Sequence, residues 1–271
     1  MVKKIGDFFS RFYFVLVMIF MYAPIAVLIV LSFNSSRSRV VWGGFTLDWY
    51  VRLFSNRQIM ESLKTTIILA LLSSVIATLI GVIAAIGISA MRQRNFRVTM
   101  AFTNIPMLNA DIVTGIALML WFVRFMPLGF SSVLIAHITF NIPYVILTVM
   151  PKIRQMNVSV YEASRDLGAS AVYGFVHVVL PQLMGGIVSG FFMAFTMSMD
   201  DFVITYFTKG AGINTLSTMI YGEIRKGIKP EMYALSTLIF VVVLVVLLLI
   251  NFIPERREKM REKQMFQTAG R

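Results

Sequence analysis

The 271-residue chain contains no cysteine and very little charge. Without cysteine there can be no disulfide framework, no thiolate zinc site and no cysteine nucleophile. Only 14% of the residues are charged and 58% are hydrophobic, whereas a soluble domain has about 25% charged residues. The polar residues are too few to cover a surface that faces water. We therefore expect lipid to be the solvent for much of the chain.

The sequence also lacks a phosphate-binding loop of the form G-x-x-x-x-G-K-[ST]. Gly222 and Gly227 have the right separation, but Ile228 follows them in place of lysine. Any ATP that drives this protein must therefore be bound by another polypeptide. We assign no catalytic residue and no metal-binding residue to this chain.

Acidic residues are half as frequent as basic ones, and the formal net charge is +12. Such a balance is found in nucleic-acid-binding proteins, but here the basic residues lie mainly in short segments between apolar runs. That distribution is typical of membrane topology and not of a nucleic-acid patch. We predict no nucleic-acid partner.

Six apolar stretches are long enough to cross about 30 Å of hydrocarbon as helices. None of them alternates as the strands of a membrane barrel do. The first is longer than the core of a signal peptide and lacks a cleavage site, so we expect it to be retained. The sequence predicts an all-α membrane protein with six transmembrane helices, at approximately 12–33, 63–91, 99–123, 131–150, 183–207 and 233–253.

The basic residues predict that both termini are cytoplasmic. With the amino end inside, most of the lysines and arginines fall in short inner segments close to the spans. The predicted organisation is one transmembrane domain, 1–253, followed by a charged cytoplasmic tail, 254–271. The segment 34–62 would then be external.

The predicted cytoplasmic loop at 152–182 has the pattern of a short amphipathic helix. Val160, Ala163 and Leu167 recur at helical spacing, and Ser159 can cap the start. Such a helix would present polar side chains, Glu162 among them, to a partner protein. An interfacial helix on lipid headgroups is the alternative that the spacing leaves open.

The same loop resembles the EAA motif of ABC-importer permeases, E-A-A-x3-G-x9-I-x-L-P. Ser164 stands in place of the second alanine and Val178 in place of the isoleucine. In that family the loop is a coupling helix that inserts into a cleft of a cytoplasmic ATPase. The resemblance implies that the contact with the ATPase is made by Glu162, Ala163, Ser164, Gly168, Leu180 and Pro181.

Other segments resemble the spermidine/putrescine permeases among these importers, namely 33–36, 137–140, 165–170 and 195–201. The resemblance implies a type I ABC-importer permease (MetI-like) fold in the bacterial inner membrane. It also implies three partners: a second permease subunit, a homodimeric ATPase that binds ATP and Mg²⁺, and an extracytoplasmic polyamine-binding protein. This chain itself would bind no cofactor.

Few ionisable residues lie within the predicted spans: Asp111, His137, Asp200 and Asp201. A charged residue at mid-membrane costs about 2.5–3.5 kcal/mol on insertion scales, so carboxylates there are functional candidates. Acidic spans suit a cationic cargo. We therefore predict a substrate path at Asp200, Asp201, Asp111, Ser198 and Trp49.

Several of these residues also have structural interpretations. Asp200 and Asp201 are neighbours and point about 100° apart on a helix, so we expect one in the path and the other capping a broken helix or paired with the partner subunit. Asp111 can cap a restarted helix. We expect His137 to be packed and hydrogen-bonded. Trp49 can stack on a cation or serve as an interfacial anchor.

Three other functions remain as alternatives. An importer of another cationic or metal-bound solute has the same features. An intramembrane aspartyl protease needs two carboxylates on separate helices, which Asp111 and Asp200 could supply, but no protease motif surrounds them. A secondary transporter needs inverted repeats, and none is convincing in this sequence.

Overall fold

The computed structural model describes residues 2–38, 40–227 and 229–245, with side chains from Arg11 onward. Over these ranges the chain is helical, and its only β-type pairing is an isolated bridge between Asn34 and Phe45. Twelve helices are described: α1 Val2–Ser32, α2 Asp48–Ser55, α3 Arg57–Ser89, α4 Gln93–Leu108, α5 Asp111–Phe125, α6 Phe130–Gln155, α7 Val158–Asp166, α8 Ala171–Gly174, α9 Leu180–Asp200, α10 Val203–Thr208, α11 Leu216–Lys226 and α12 Pro230–Val245.

Four stretches of helix are long and apolar enough to cross a membrane: Arg11–Ser32, Arg57–Ser89, Phe130–Gln155 and Ala171–Asp200. The pair α4 and α5 makes a fifth if it is counted as one bent span. The all-α prediction is confirmed for the described residues. Helix α12 is apolar but shorter, and the rest of the predicted sixth span, 246–253, lies outside the described residues, as does the tail 254–271.

The predicted span 99–123 is interrupted in the structure, at the point where a helix was expected to restart at Asp111. Helix α4 ends at Leu108, and α5 starts at Asp111 with its axis turned by 100°. Asn109 and Ala110 are both extended, with ψ angles of 148° and 132°. Pro106 lies three residues before the break and removes one backbone donor from the last turn of α4, which weakens the helix there.

The fifth predicted span, 183–207, is displaced in the structure. The apolar helix already starts at Ala171 and stops at Asp200, and α10 follows as a separate short helix. A π-helical segment, Phe175–Val179, precedes Pro181, and the Leu180 N–H bonds to the Phe175 carbonyl five residues earlier. Since Pro181 cannot donate to the preceding turn, the wider turn accommodates it without a sharp kink.

The described chain divides into two compact units. One consists of Gln58–Gly222, and the other combines the described residues before Gln58 with those after Gly222. In the first unit, α3, α6 and α9 share a core that includes Val82, Val145 and Ala194. Small residues permit this close approach. A Cβ on Gly190 would lie 2.8 Å from the Thr148 hydroxyl, which is closer than side chains pack.

A second core of the same unit lies where α5, α6 and α10 meet, around Phe122, Phe140 and Ile204. This core places the break between α9 and α10 beside the middle of α6. The two cores thus hold α6 between the long helix α9 and the short helix α10.

Candidate functional site

Helix α7 presents a mostly unpacked face in the loop that carries the EAA-like motif. Glu162 and Ala163 are exposed, and Leu167, the residue that follows the helix, is 90% exposed. The prediction that Ser159 caps the start of α7 is wrong. The Asn157 side chain caps α7 by accepting the Ser159 N–H at 3.1 Å. Of the residues predicted to meet a partner, Glu162 and Ala163 are therefore available on the surface of this helix.

The opposite side of α7 packs against α8. A Cβ on Gly174 would lie 3.0 Å from the Tyr161 ring and 3.1 Å from the Ser164 hydroxyl. Ser164 donates to the Tyr161 carbonyl at 2.7 Å, which directs its side chain inward. Sequence reasoning missed the contribution of Gly174. A glycine six residues after Gly168 was the available signal.

Gly168 ends the α7 turn with φ = +88°, a conformation that favours glycine. Its N–H bonds to the Arg165 carbonyl at 3.0 Å, and the Ala169 N–H bonds to the Ser164 carbonyl at 3.1 Å. These two bonds form a Schellman motif. The turn leaves an open pocket of about 520 Å³ beside it, lined by Leu167, Gly168 and Tyr173 among others. Leu180 and Pro181 lie further along, at the start of α9.

The second candidate region is the break between α9 and α10. Asp201 is extended, with ψ = 125°, and ends α9 directly after Asp200. Its carboxylate accepts the backbone N–H groups of Ile204 at 3.2 Å and Thr205 at 2.8 Å. Asp201 therefore caps the first turn of α10, whereas the neighbouring Asp200 is exposed.

His137 reaches this cap from α6. Its Nε2 lies 2.9 Å from the Thr205 hydroxyl and 3.3 Å from an Asp201 carboxylate oxygen. The Thr205 hydroxyl itself donates to the same carboxylate oxygen at 2.8 Å. The His137 side chain is only 2% exposed. The packed, hydrogen-bonded role predicted for His137 is therefore what the structure shows.

Ser198, which was predicted to line the path, is buried between helices in the described structure. It is 3% exposed, its hydroxyl is 2.8 Å from that of Ser73, and it accepts from the Asn141 side-chain amide at 2.7 Å. These contacts join α9 to α3 and α6. The hydroxyl serves helix packing in this chain, as polar groups between membrane helices commonly do.

Asp111 is the first residue of α5, directly after the bend, and is exposed. The helix does restart there as predicted. The capping position, however, is held by Ala110 and not by Asp111. The Asn109 side-chain amide donates to the Thr114 hydroxyl at 3.3 Å. A carboxylate in the first turn is favoured by the helix dipole. Asp111 and Asp200 thus each stand at a helix break with an exposed carboxylate.

Trp49 is buried in the unit that contains α1 and α2, with 6% of its surface exposed. Its indole N–H donates to the Asn34 carbonyl at 2.7 Å, and the Arg52 guanidinium lies 5.1 Å from its ring centre. An arginine already occupies the position over this ring that a cargo cation would need. In the described structure Trp49 thus anchors the segment after α1, and its place in the path stays a prediction.

Residues 77–259 match the family described as the inner membrane component of binding-protein-dependent transport systems. The chain belongs to this family. It is 35% identical over 241 residues to the spermidine/putrescine transport system permease protein PotC of Escherichia coli K12, covering 89% of this chain and 91% of that protein. It is also 34% identical over 252 residues to the putrescine transport system permease protein PotI of the same organism, covering 89% of each.

Solved structures show the same fold at low identity. A bacterial ABC transporter that imports the acidic polysaccharide alginate superposes with a TM-score of 0.70 at 14% identity, covering 94% of this chain and 97% of that one. The MetNI methionine ABC transporter gives 0.54 at 18% identity, covering 76% and 98%. The chain therefore has the ABC-importer permease fold and is a multi-pass protein of the inner membrane.

Proposed function

We propose that this family member is the permease subunit of an ATP-driven importer of polyamines, either spermidine or putrescine. The relatives named above support the substrate class through their similarity over most of the chain. The observation that carries the proposal is the exposed carboxylate of Asp200 at a helix break inside an apolar span. A carboxylate in that position is costly in lipid and is suited to meet an ammonium group transiently.

The proposed topology has six spans with both termini in the cytoplasm. Residues 1–253 would form the transmembrane domain, with α12 as the start of the sixth span, and 254–271 a cytoplasmic tail. This chain would pair with a second permease subunit to enclose the path. An extracytoplasmic binding protein would deliver the polyamine to that path.

The proposed coupling element is α7 with its Schellman turn. Glu162, Ala163 and Leu167 are exposed on it, whereas Ser164 faces inward and holds its position. An exposed face of this composition fits a cleft on a cytoplasmic ATPase. ATP and Mg²⁺ would bind to that ATPase homodimer, and this chain would bind no cofactor. Leu180 and Pro181 would set where the following helix starts.

Uptake of labelled spermidine and putrescine into vesicles tests the substrate proposal. The vesicles would contain the complete complex: this chain, the second permease, the ATPase and the binding protein. We expect ATP-dependent uptake that falls about tenfold or more in Asp200→Asn, since an amide carries no charge to balance an ammonium. The matched control is Asp48→Asn, a change at an exposed residue of α2, which should transport normally. Normal uptake in Asp200→Asn would remove this residue from the path.

The coupling proposal is tested with Glu162→Arg. The side chain is exposed, so the variant should fold and pair with the second permease. We expect the ATPase to be lost on purification and ATP-driven uptake to fall with it. Full retention of the ATPase together with full uptake would contradict the coupling role of this face.

A further inference from the structure

The break between α9 and α10 is closed by a buried network of side chains. Asp201 accepts from two backbone N–H groups and from the Thr205 hydroxyl, and His137 reaches the same hydroxyl from α6. Thr205 is fully buried and His137 nearly so. Since the Thr205 hydroxyl proton is directed at Asp201, its oxygen accepts from His137, and the ring must carry a proton on Nε2.

A continuous helix would need none of these polar groups. Each backbone N–H freed within hydrocarbon needs an internal partner, and here Asp201 supplies that partner for Ile204 and Thr205. Polar side chains such as these are costly in hydrocarbon. Their presence here indicates that the break between the helices has a function. Asp200 is the last residue of α9, directly before the interruption, and is exposed.

We infer that His137 and Thr205 are positioning residues that hold the α9–α10 break so that the Asp200 carboxylate faces a cationic cargo. The inference rests on the proposed function. Asp201 is the fixed point of the arrangement, and Asp200 is the group that meets the cargo. The extended backbone at Asp201 sets how α10 leaves the end of α9, and the network fixes this geometry directly beside Asp200.

Thr205 offers the cleanest variants. Thr205→Val removes the hydroxyl at nearly constant volume, and Thr205→Ser retains it. Thr208→Val is the matched control, because the equally buried Thr208 hydroxyl bonds only the Ile204 carbonyl within α10 in the described structure. We expect Thr205→Val to raise the KM for spermidine by about fivefold to tenfold. Thr205→Ser and Thr208→Val should stay within about twofold of wild type.

A double-mutant cycle distinguishes positioning from general stability. If Thr205 acts through Asp200, then Asp200→Asn combined with Thr205→Val should be no worse than Asp200→Asn alone. Effects that multiply would show that Thr205 acts independently of Asp200 and would overturn the inference. Uptake would be compared at equal amounts of assembled complex in each case.

A second measurement does not depend on the cargo. The chain has no cysteine, so Asp200→Cys introduces one thiol into this subunit, and its rate of modification by a water-soluble thiol reagent reports the direction of position 200. With the ATPase and the other partners kept free of reactive thiols, we expect Thr205→Val to change this rate at least about threefold and Thr208→Val to leave it unchanged. Equal rates in all variants would contradict the inference.

The two measurements separate the possible failures. A wild-type complex that takes up no polyamine contradicts the proposed function, and the thiol rates then still decide whether the network positions residue 200. If Thr205→Val does not reach the membrane, His137→Leu and His137→Gln provide the same comparison, since glutamine retains an N–H donor. Rates that differ between those two variants support the inference, and equal rates oppose it.

Discussion

The turn after α7 and the break after α9 interrupt helices in opposite ways. At Gly168 the interruption is closed by two backbone bonds and by the exposed Arg165 side chain, which donates to the Ala169 carbonyl, and most side chains around it stay exposed. At Asp201 it is closed by a buried carboxylate, a hydroxyl and an imidazole. The first region leaves most of its side chains exposed, whereas in the second nearly all of the polar side chains are engaged within the chain.

The solvent explains this difference. Water can satisfy a carbonyl or N–H that a loop leaves unpaired, so a glycine turn is sufficient at the end of α7. In hydrocarbon every freed group needs a partner from the protein. At the break after α9, polar side chains are therefore engaged in hydrogen bonds within the protein, and the Asp200 carboxylate is left exposed.

The largest expected effect comes from removing the cap itself. Asp201→Ala frees the N–H groups of Ile204 and Thr205 and deprives the Thr205 hydroxyl of its acceptor. At about 1–3 kcal/mol for each unsatisfied buried group, with partial relaxation, we expect a loss of about 3 kcal/mol. The thermal transition of the purified complex measures it. Asp200→Ala, one residue away and exposed, should change stability by less than about 0.5 kcal/mol, and equal transitions would contradict the comparison.

At the α7 loop we expect a substitution to reduce uptake without reducing stability. Leu167→Glu places a charge on a residue that is 90% exposed, so the subunit should fold with unchanged stability. If the leucine enters a cleft on the ATPase, its burial contributes about 1.5–3 kcal/mol, and uptake should fall about tenfold or more. Leu167→Met keeps the apolar contact and should restore uptake. Normal uptake and ATPase retention in Leu167→Glu would place the docking surface elsewhere.

A smaller effect is expected at Gly168, where φ is +88° and the space for a side chain is open. A substitution there meets no neighbour and changes only the backbone cost, about 1–2 kcal/mol for an ordinary residue. Gly168→Val should therefore weaken ATP-driven uptake severalfold. Gly168→Asn should do so less, because asparagine tolerates this conformation. Parallel ATPase and uptake assays measure the coupling, and equal behaviour of the two variants would exclude a backbone origin.

The α7 region was largely predictable from sequence because its signals are local. The motif spacing located the turn at Gly168, and Glu162 is exposed as the helical periodicity predicted, but the apolar residues Val160 and Leu167 are exposed as well. The cap was misassigned because asparagine and serine are both good caps, and the helix starts one residue before Ser159, after Asn157. Propensity alone does not distinguish two candidates that lie two residues apart.

The break at Asp201 was predictable only in outline. The angle between neighbouring helix positions predicted that one aspartate would be exposed and the other engaged, but assigning them required the backbone angle at Asp201. The burial of Ser198 between helices was not predicted, although a signal existed. Gly190, Ala194 and Ser198 recur every four residues, which is the spacing of small residues at a helix contact.

The smallest effect on stability is expected at Glu223, near the end of α11. Its carboxylate is paired with exposed lysines, whereas the partners of Asp201 are buried. It is 8% exposed and lies 3.0 Å from the Lys229 amine and 3.6 Å from the Lys226 amine. Its hydrogen bond to Lys229 holds the pKa of the Glu223 carboxyl below its usual range. A carboxyl with a lowered folded pKa contributes stability above its unfolded pKa, about 4.3, and loses it as the pH falls through the folded pKa. Because both lysines are solvated, we expect less than about 1 kcal/mol.

Glu223→Gln should therefore lower the thermal transition slightly at pH 7, and the difference from wild type should vanish as the pH falls below about 4. Concentrated salt should also reduce it, because screening weakens pairs with exposed partners. The deficit of Asp201→Ala should persist in salt, since its donors are buried. If the contribution of Glu223 to stability persisted in both acid and salt, this carboxylate would resemble Asp201. Solvent exposure of the partner groups would then not explain the difference between the two helix ends.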